Sequence, residues 1–116
     1  EVLEAARLAD LAKDIAALHD GYDTVIGERG VMLSGGQKQR LVLARALIKK
    51  SPVLLMDASL SAVDTRTEQT ILTNLRQSLG ATTVIVITDR LFTSWTFDRI
   101  LVLDNGAVVE EGTHEE

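Results

Sequence analysis

No cysteine occurs in the 116 residues, which excludes disulfides and thiolate-bound metals and suits a reducing compartment. Aromatic residues contribute only 3% of a sequence that is 46% hydrophobic, so any core has to be built from Leu, Ile, Val and Ala. No run approaches the ~20 apolar residues that cross a bilayer as a helix, and the first residues carry no charged-then-apolar leader pattern. Lys/Arg-rich runs are missing too, and the net charge of −5 mixes both signs. Nothing therefore resembles an electrostatic footprint for nucleic acid or anionic lipid. The histidines, His19 and His114, stand far apart without a companion ligand set and read as surface residues.

What remains is the material of one small domain, whose folding can remove roughly two thirds of the extended chain's surface from water. Leu8, Leu11, Ile15 and Leu18 recur at spacings of three and four, which predicts one amphipathic helix over residues 1–18. Its other face carries Arg7, Asp10, Lys13 and Asp14, and a loop follows through Gly21, Gly27 and Gly30. The chain starts with Glu inside this helical pattern, so the expectation is a piece cut from a longer protein. A second helix is predicted from Gly35 or Gly36 to Lys50, capped by Ser34 and ended by Ser51-Pro52. Val53-Leu54-Leu55-Met56, wholly apolar and closed by Asp57, reads as a strand buried on both faces. Asp64 then caps a helix over residues 65–79, and 82–88 forms a β-branched strand. Strand, helix and strand make a βαβ unit with parallel strands. A helical piece near 90–97 precedes two strands, 99–104 and 107–111, joined by Asn105-Gly106, the pair favoured in a type I′ turn.

The chemistry concentrates at Ser34-Gly35-Gly36-Gln37. A helix start presents free N–H groups and a positive dipole to an anion, and glycines let a phosphate approach the backbone. On physics alone, a phosphate site and a plain glycine-rich helix entry are equal readings. The longer string Gly30-Val31-Met32-Leu33-Ser34-Gly35-Gly36-Gln37-Lys38-Gln39-Arg40 closely resembles the signature motif of ATP-binding cassette (ABC) proteins. Val53-Leu54-Leu55-Met56-Asp57 resembles that family's Walker B strand, whose final carboxylate holds Mg²⁺ through water. Ser61-Ala62-Val63-Asp64 resembles its D-loop, with Asp64 also open to a capping role alone. The stretch 21–30 and the closing 98–116 resemble exporter-type cassettes, so the likeness spans essentially the whole chain.

Three features depart from that family. Ala58 stands where a glutamate normally polarises the attacking water, and a methyl group accepts no proton. Asp89 aligns with the switch histidine that donates to the γ-phosphate, which a carboxylate would repel. Ala58 is explained either by natural degeneracy or by a substitution made to trap ATP; Asp89 favours the first, since trapping needs one change. The third departure is the phosphate-binding loop: none of the four lysines, Lys13, Lys38, Lys49 and Lys50, follows a glycine, so Gly-x-x-x-x-Gly-Lys-Ser/Thr is missing.

The resemblance therefore implies an α/β fold, a partial P-loop NTPase core (parallel sheet with helices, terminal β-hairpin) plus part of the ABC helical subdomain. Residues 1–50 would carry the signature, and 51–116 the core with Walker B, D-loop, switch and hairpin. It implies ATP and Mg²⁺ as cofactors, with Asp57 toward the metal and Ser34, Gly35, Gly36 and Gln37 toward ATP held by a head-to-tail partner. Ser61 and Asp64 would sit at the cassette interface. An asymmetric heterodimer linked to a transmembrane domain at the cytoplasmic face of the cell membrane is the expected setting. No catalytic residue is intact, and the chain alone is expected to be inactive. A soluble cassette ATPase of DNA repair or translation, or a silent fragment, are the rival readings.

Overall fold

The computed structural model describes residues 1–27, 32–89 and 97–113. Helix α1 (Val2–Leu8) is followed by α2 (Ala12–Ala16) and a 3₁₀ turn at Gly21–Asp23, so the predicted single helix is broken near Asp10. The break is a Schellman motif: Leu11 N–H reaches Ala6 O at 2.8 Å, Asp10 N–H reaches Arg7 O at 3.1 Å, and Asp10 takes φ +55°. A glycine would have signalled this stop; an aspartate does not. Two outside side chains hold the break. Asn74 Nδ2 donates to Arg7 O and Leu8 O, each at 3.3 Å, and Arg40 Nη1 donates to Asp10 O at 2.5 Å while pairing with the Asp14 carboxylate.

Helix α3 (Gly35–Ile48) crosses α1, whose Ala5, Ala6 and Ala9 are buried and keep the contact close. After Lys50, at φ +52°, the chain enters β1 (Val53–Asp57), α4 (Thr65–Ser78) and β2 (Thr83–Ile87). The strands pair in parallel, Val53 opposite Thr83 through Asp57 opposite Ile87, which is the expected βαβ unit. Ile71, Leu72 and Leu75 of α4 are the largest fully buried side chains, and they pack with Leu43, Leu54, Met56, Leu60 and Val63. Burying each of these three contributes about 1.5–3 kcal/mol. The core is aliphatic, as the composition requires, with Phe97 packed at its margin.

The two-faced burial expected of β1 is not observed. Leu54 and Met56 face the core, whereas Val53 and Leu55 are 50% and 60% exposed, and on β2 Ile85 and Ile87 are 48% and 49% exposed. Helical residues pack on one face of this two-stranded sheet, and the apolar side chains of its other face are about half exposed. The hairpin of β3 (Ile100–Asp104) and β4 (Ala107–Gly112) turns through Asn105 at φ +52° and Gly106 at φ +79°. Both positive values are those of a type I′ turn. A bulge shifts the register between Val102 and Leu103. The predicted helix near 90–97 falls, but for Phe97, outside the described residues, as do residues 28–31 and His114. No described helix is long and apolar enough to cross a membrane.

Candidate functional site

Ser34 ends the preceding loop in an extended conformation, φ −67° and ψ 166°, and turns its side chain onto α3. Its Oγ accepts Gln37 N–H at 3.1 Å, and Gln37 Oε1 accepts Ser34 N–H at 2.9 Å. This reciprocal capping box satisfies two helix-end donors and leaves the N–H groups of Gly35 and Gly36 without an intrahelical acceptor. A cleft of about 290 Å³ lies against them, walled by Ser34, Gly35, Gly36 and Arg40 on one side and by 62–64 with Thr67 on the other. Amide donors, no intervening side chains and the positive end of a 14-residue helix make a donor set suited to phosphate oxygens. Gln37 does not line the cleft, because its amide is committed to the capping box.

The glycines have a second use. A Cβ built on Gly36 would stand 2.9 Å from Ala62 O, inside van der Waals contact, whereas one on Gly35 would meet Ala62 Cβ at an ordinary 3.5 Å. The missing side chain at Gly36 thus admits the 61–64 turn as well as leaving the helix end open. Across the cleft, Asp64 caps α4: its Oδ1 accepts Thr67 N–H at 2.8 Å. Hydrogen bonds from Thr67, its backbone N–H foremost, hold the Asp64 carboxyl below the usual carboxylate range. The capping role of Asp64 is therefore real, and the same residue faces the cleft.

Asp57, Ala58 and Asp89 do not line this cleft. Because β1 and β2 run parallel, their C-terminal ends coincide, and Asp57 pairs with Ile87, two residues before Asp89. All three are exposed at that edge, the place where open parallel sheets bind ligands. Ala58 takes a left-handed φ of +53° and donates its N–H to Ile87 O at 2.9 Å. No cluster of three metal-ligating side chains occurs among the described residues. A single strand-end carboxylate fits Mg²⁺, which keeps several waters and takes its other oxygens from phosphates.

Sequence reasoning overlooked Gln39. Its Nε2 donates to Ser61 Oγ at 2.8 Å and to Ala58 O at 3.3 Å, while its Oε1 accepts Ala62 N–H at 2.8 Å. Ser61 is thus held by Gln39 and stays out of the cleft lining. The available signal was an amide one helical turn past a glycine pair, on the same face. Thr67 and the anchoring of Arg40 across to Asp10 and Asp14 were overlooked as well.

A parallel βαβ unit whose strand end carries Asp57, facing a separate glycine-started helix with a D-loop-like turn against it, defines a segment of an ATP-binding cassette. The pattern of the family described as ABC transporter matches residues 3–61, and the chain belongs to that family. It is 47% identical over 116 residues to YfiB of Bacillus subtilis (strain 168), an uncharacterized ABC transporter ATP-binding protein, covering all of this chain and 20% of that protein. An ATM1-type heavy metal exporter of Novosphingobium aromaticivorans is 52% identical over 114 residues, 98% of this chain and 19% of the exporter. A solved bacterial Atm1-family ABC exporter with ATP bound superposes with a TM-score of 0.88 at 50% identity, over 98% of this chain and 20% of that one. The chain thus spans about one fifth of the length of these relatives.

Proposed function

We propose that this chain is the C-terminal portion of the ATP-binding domain of an ABC exporter, with residues 1–50 in the helical subdomain and 51–116 in the P-loop core. It pairs head to tail with a second, different cassette and works beneath a transmembrane domain at the cytoplasmic face of the membrane, without nucleic acid. Ser34, Gly35 and Gly36 present the helix end to ATP held by the partner, and the capping box of Gln37 keeps that end in shape. Asp57 holds Mg²⁺ through water at the chain's own site; the bound ion neutralises charge on the phosphoryl oxygens. Ser61 and Asp64 stand between the two sites.

The carrying observation is the asymmetry between an ordered signature end and a strand end that bears Ala58 and Asp89. Water activation needs a carboxylate within reach, and position 58 offers only a methyl group. The chain's own site therefore binds nucleotide without hydrolysing it, and its signature serves a competent site in trans. By itself the chain, lacking a phosphate-binding loop, neither binds nor hydrolyses ATP. The test is nucleotide trapping with vanadate in the full-length assembled dimer: one nucleotide trapped per dimer is expected, always on the partner's phosphate loop. Trapping of two per dimer would overturn the reading.

A further inference from the structure

We propose that Gln39 is a positioning residue that fixes the 58–62 loop to the signature helix, so that the turn after Asp57 and the cleft at Ser34 move as one body. The inference rests on the reading above for what the two ends do, and on geometry for how they are joined. One amide makes three hydrogen bonds, from Nε2 to Ala58 O at 3.3 Å and Ser61 Oγ at 2.8 Å, and to Oε1 from Ala62 N–H at 2.8 Å. Its orientation is fixed by the two backbone partners, because a carbonyl only accepts and an N–H only donates.

The loop it grips is strained and in close contact. Ala58 sits at φ +53° without being glycine, a conformation that persists only where the surroundings over-determine it. Ala58 is held from both directions, by its own N–H to Ile87 O at 2.9 Å and by Gln39 on its carbonyl. Four residues on, Ala62 O lies where a side chain at Gly36 would be. A displacement of residue 58, the water-activating position of the chain's own site, is therefore passed by Gln39 to α3, whose first turn lines the other site's cleft. Neither phosphate capture at Ser34 nor a carboxylate at Asp57 calls for an amide at position 39.

The test uses the full-length dimer that contains this sequence, with Gln39→Met, which keeps length and bulk but no hydrogen bond, and Gln39→Glu, which keeps the acceptor and loses the donor to Ala58 O. Amide exchange over 58–64 is expected to quicken about 10-fold in Gln39→Met, the loss of one to two net hydrogen bonds. Exchange within 38–48 and the thermal midpoint should stay as in the wild type. For Mg-ATP hydrolysis, kcat should fall about 5–10-fold with KM within about twofold, the split expected when geometry rather than nucleotide binding is lost. Gln39→Glu should fall between Met and wild type in both readouts. Wild-type exchange and kcat in Gln39→Met would overturn the proposal. So would quickened exchange throughout α3, which marks a packing residue, or quickened exchange at 58–64 with kcat unchanged, which marks a clamp that transmits nothing. Two nucleotides trapped by vanadate would instead sink the asymmetric reading and leave the exchange result standing.

Discussion

The two candidate sites of this chain, at the signature helix and at the sheet end, are organised in different ways. At the signature end, side chains hold the backbone: Ser34 and Gln37 cap each other, Asp64 caps α4, and Gln39 ties the intervening turn down. At the sheet end, backbone pairing sets the position, through Asp57 opposite Ile87 and the bond from Ala58 N–H to Ile87 O, and the Gln39 amide adds a hold on Ala58 O. The signature end is thus preorganised by side chains, while on the proposed reading the sheet end keeps the geometry of a site without its water-activating carboxylate. The strongest blow to this contrast falls on Ser34. In the assembled full-length dimer, Ser34→Arg should lower ATP turnover by about 100-fold or more, the scale of losing preorganised donors at a phosphate. Losing the cap itself costs only about 1 kcal/mol, so Ser34→Thr, which still caps, should stay within a few-fold of wild type. Steady-state hydrolysis by both variants checks this, and equal losses would show that a retained cap does not keep the cleft working.

The glycine pair sharpens the same comparison within one turn of helix. Gly36→Ala places a methyl 2.9 Å from a backbone carbonyl, which cannot swing aside as a side chain would. Overpacking of this kind costs about 1–3 kcal/mol, and here it also pushes the 61–64 turn off the cleft. At Gly35 the added methyl meets Ala62 Cβ at 3.5 Å, and better helix propensity offsets any strain by up to about 1 kcal/mol. Denaturant melts of the two variants should therefore separate, Gly36→Ala well below wild type and Gly35→Ala at or above it. Equal midpoints would remove Gly36's role in admitting the turn.

These features were unequally legible. Ser34 with Gln37 three residues on, Asp64 before a polar helix, and Asn105-Gly106 between apolar runs are local signals, and each acts within four residues. The end of α1 was hidden because its left-handed residue is Asp10, and the partners that secure it, Asn74 and Arg40, lie more than twenty residues away. The open face of β1 was hidden because an all-apolar strand has no periodicity to say how many layers cover it. Gln39 lies inside a motif whose serine and glycines account for the phosphate chemistry by themselves. The chemistry of its amide becomes visible only when 58–62 folds back over α3.

Ala58 tests whether the sheet end can be repaired. Ala58→Glu adds a carboxylate, but Asp89 remains at the end of the adjacent strand, where on the proposed reading it would repel a γ-phosphate rather than donate to it. ATPase turnover of the full-length dimer should accordingly rise less than about twofold, because water activation contributes its 10²–10⁴-fold only when the rest of the site is in place. Turnover matching two active sites would break the contrast, since the loss at the sheet end would then lie in one side chain.

The smallest effect concerns Asp64, where structure and cleft share a residue. Its folded carboxyl lies below the ordinary range because Thr67 hydrogen-bonds to the charged form, and a negative N-cap also favours the helix dipole. A depressed folded value means that the unfolded state binds the proton first on acidification. The stabilisation is therefore complete above the ordinary aspartate pKa of ~3.9 and is lost as pH falls through the lower folded value. An asparagine side chain caps a helix about as well as an aspartate but does not titrate, so Asp64→Asn removes the pH-dependent part alone. The thermal midpoint of wild type should exceed that of Asp64→Asn by a small margin at pH 7, and the margin should shrink as pH falls below about 4. A margin constant from neutral to acid would mean that the hydrogen bond at Thr67 does not discriminate between the charged and neutral carboxyl, and that the signature end owes its order to shape and not to charge.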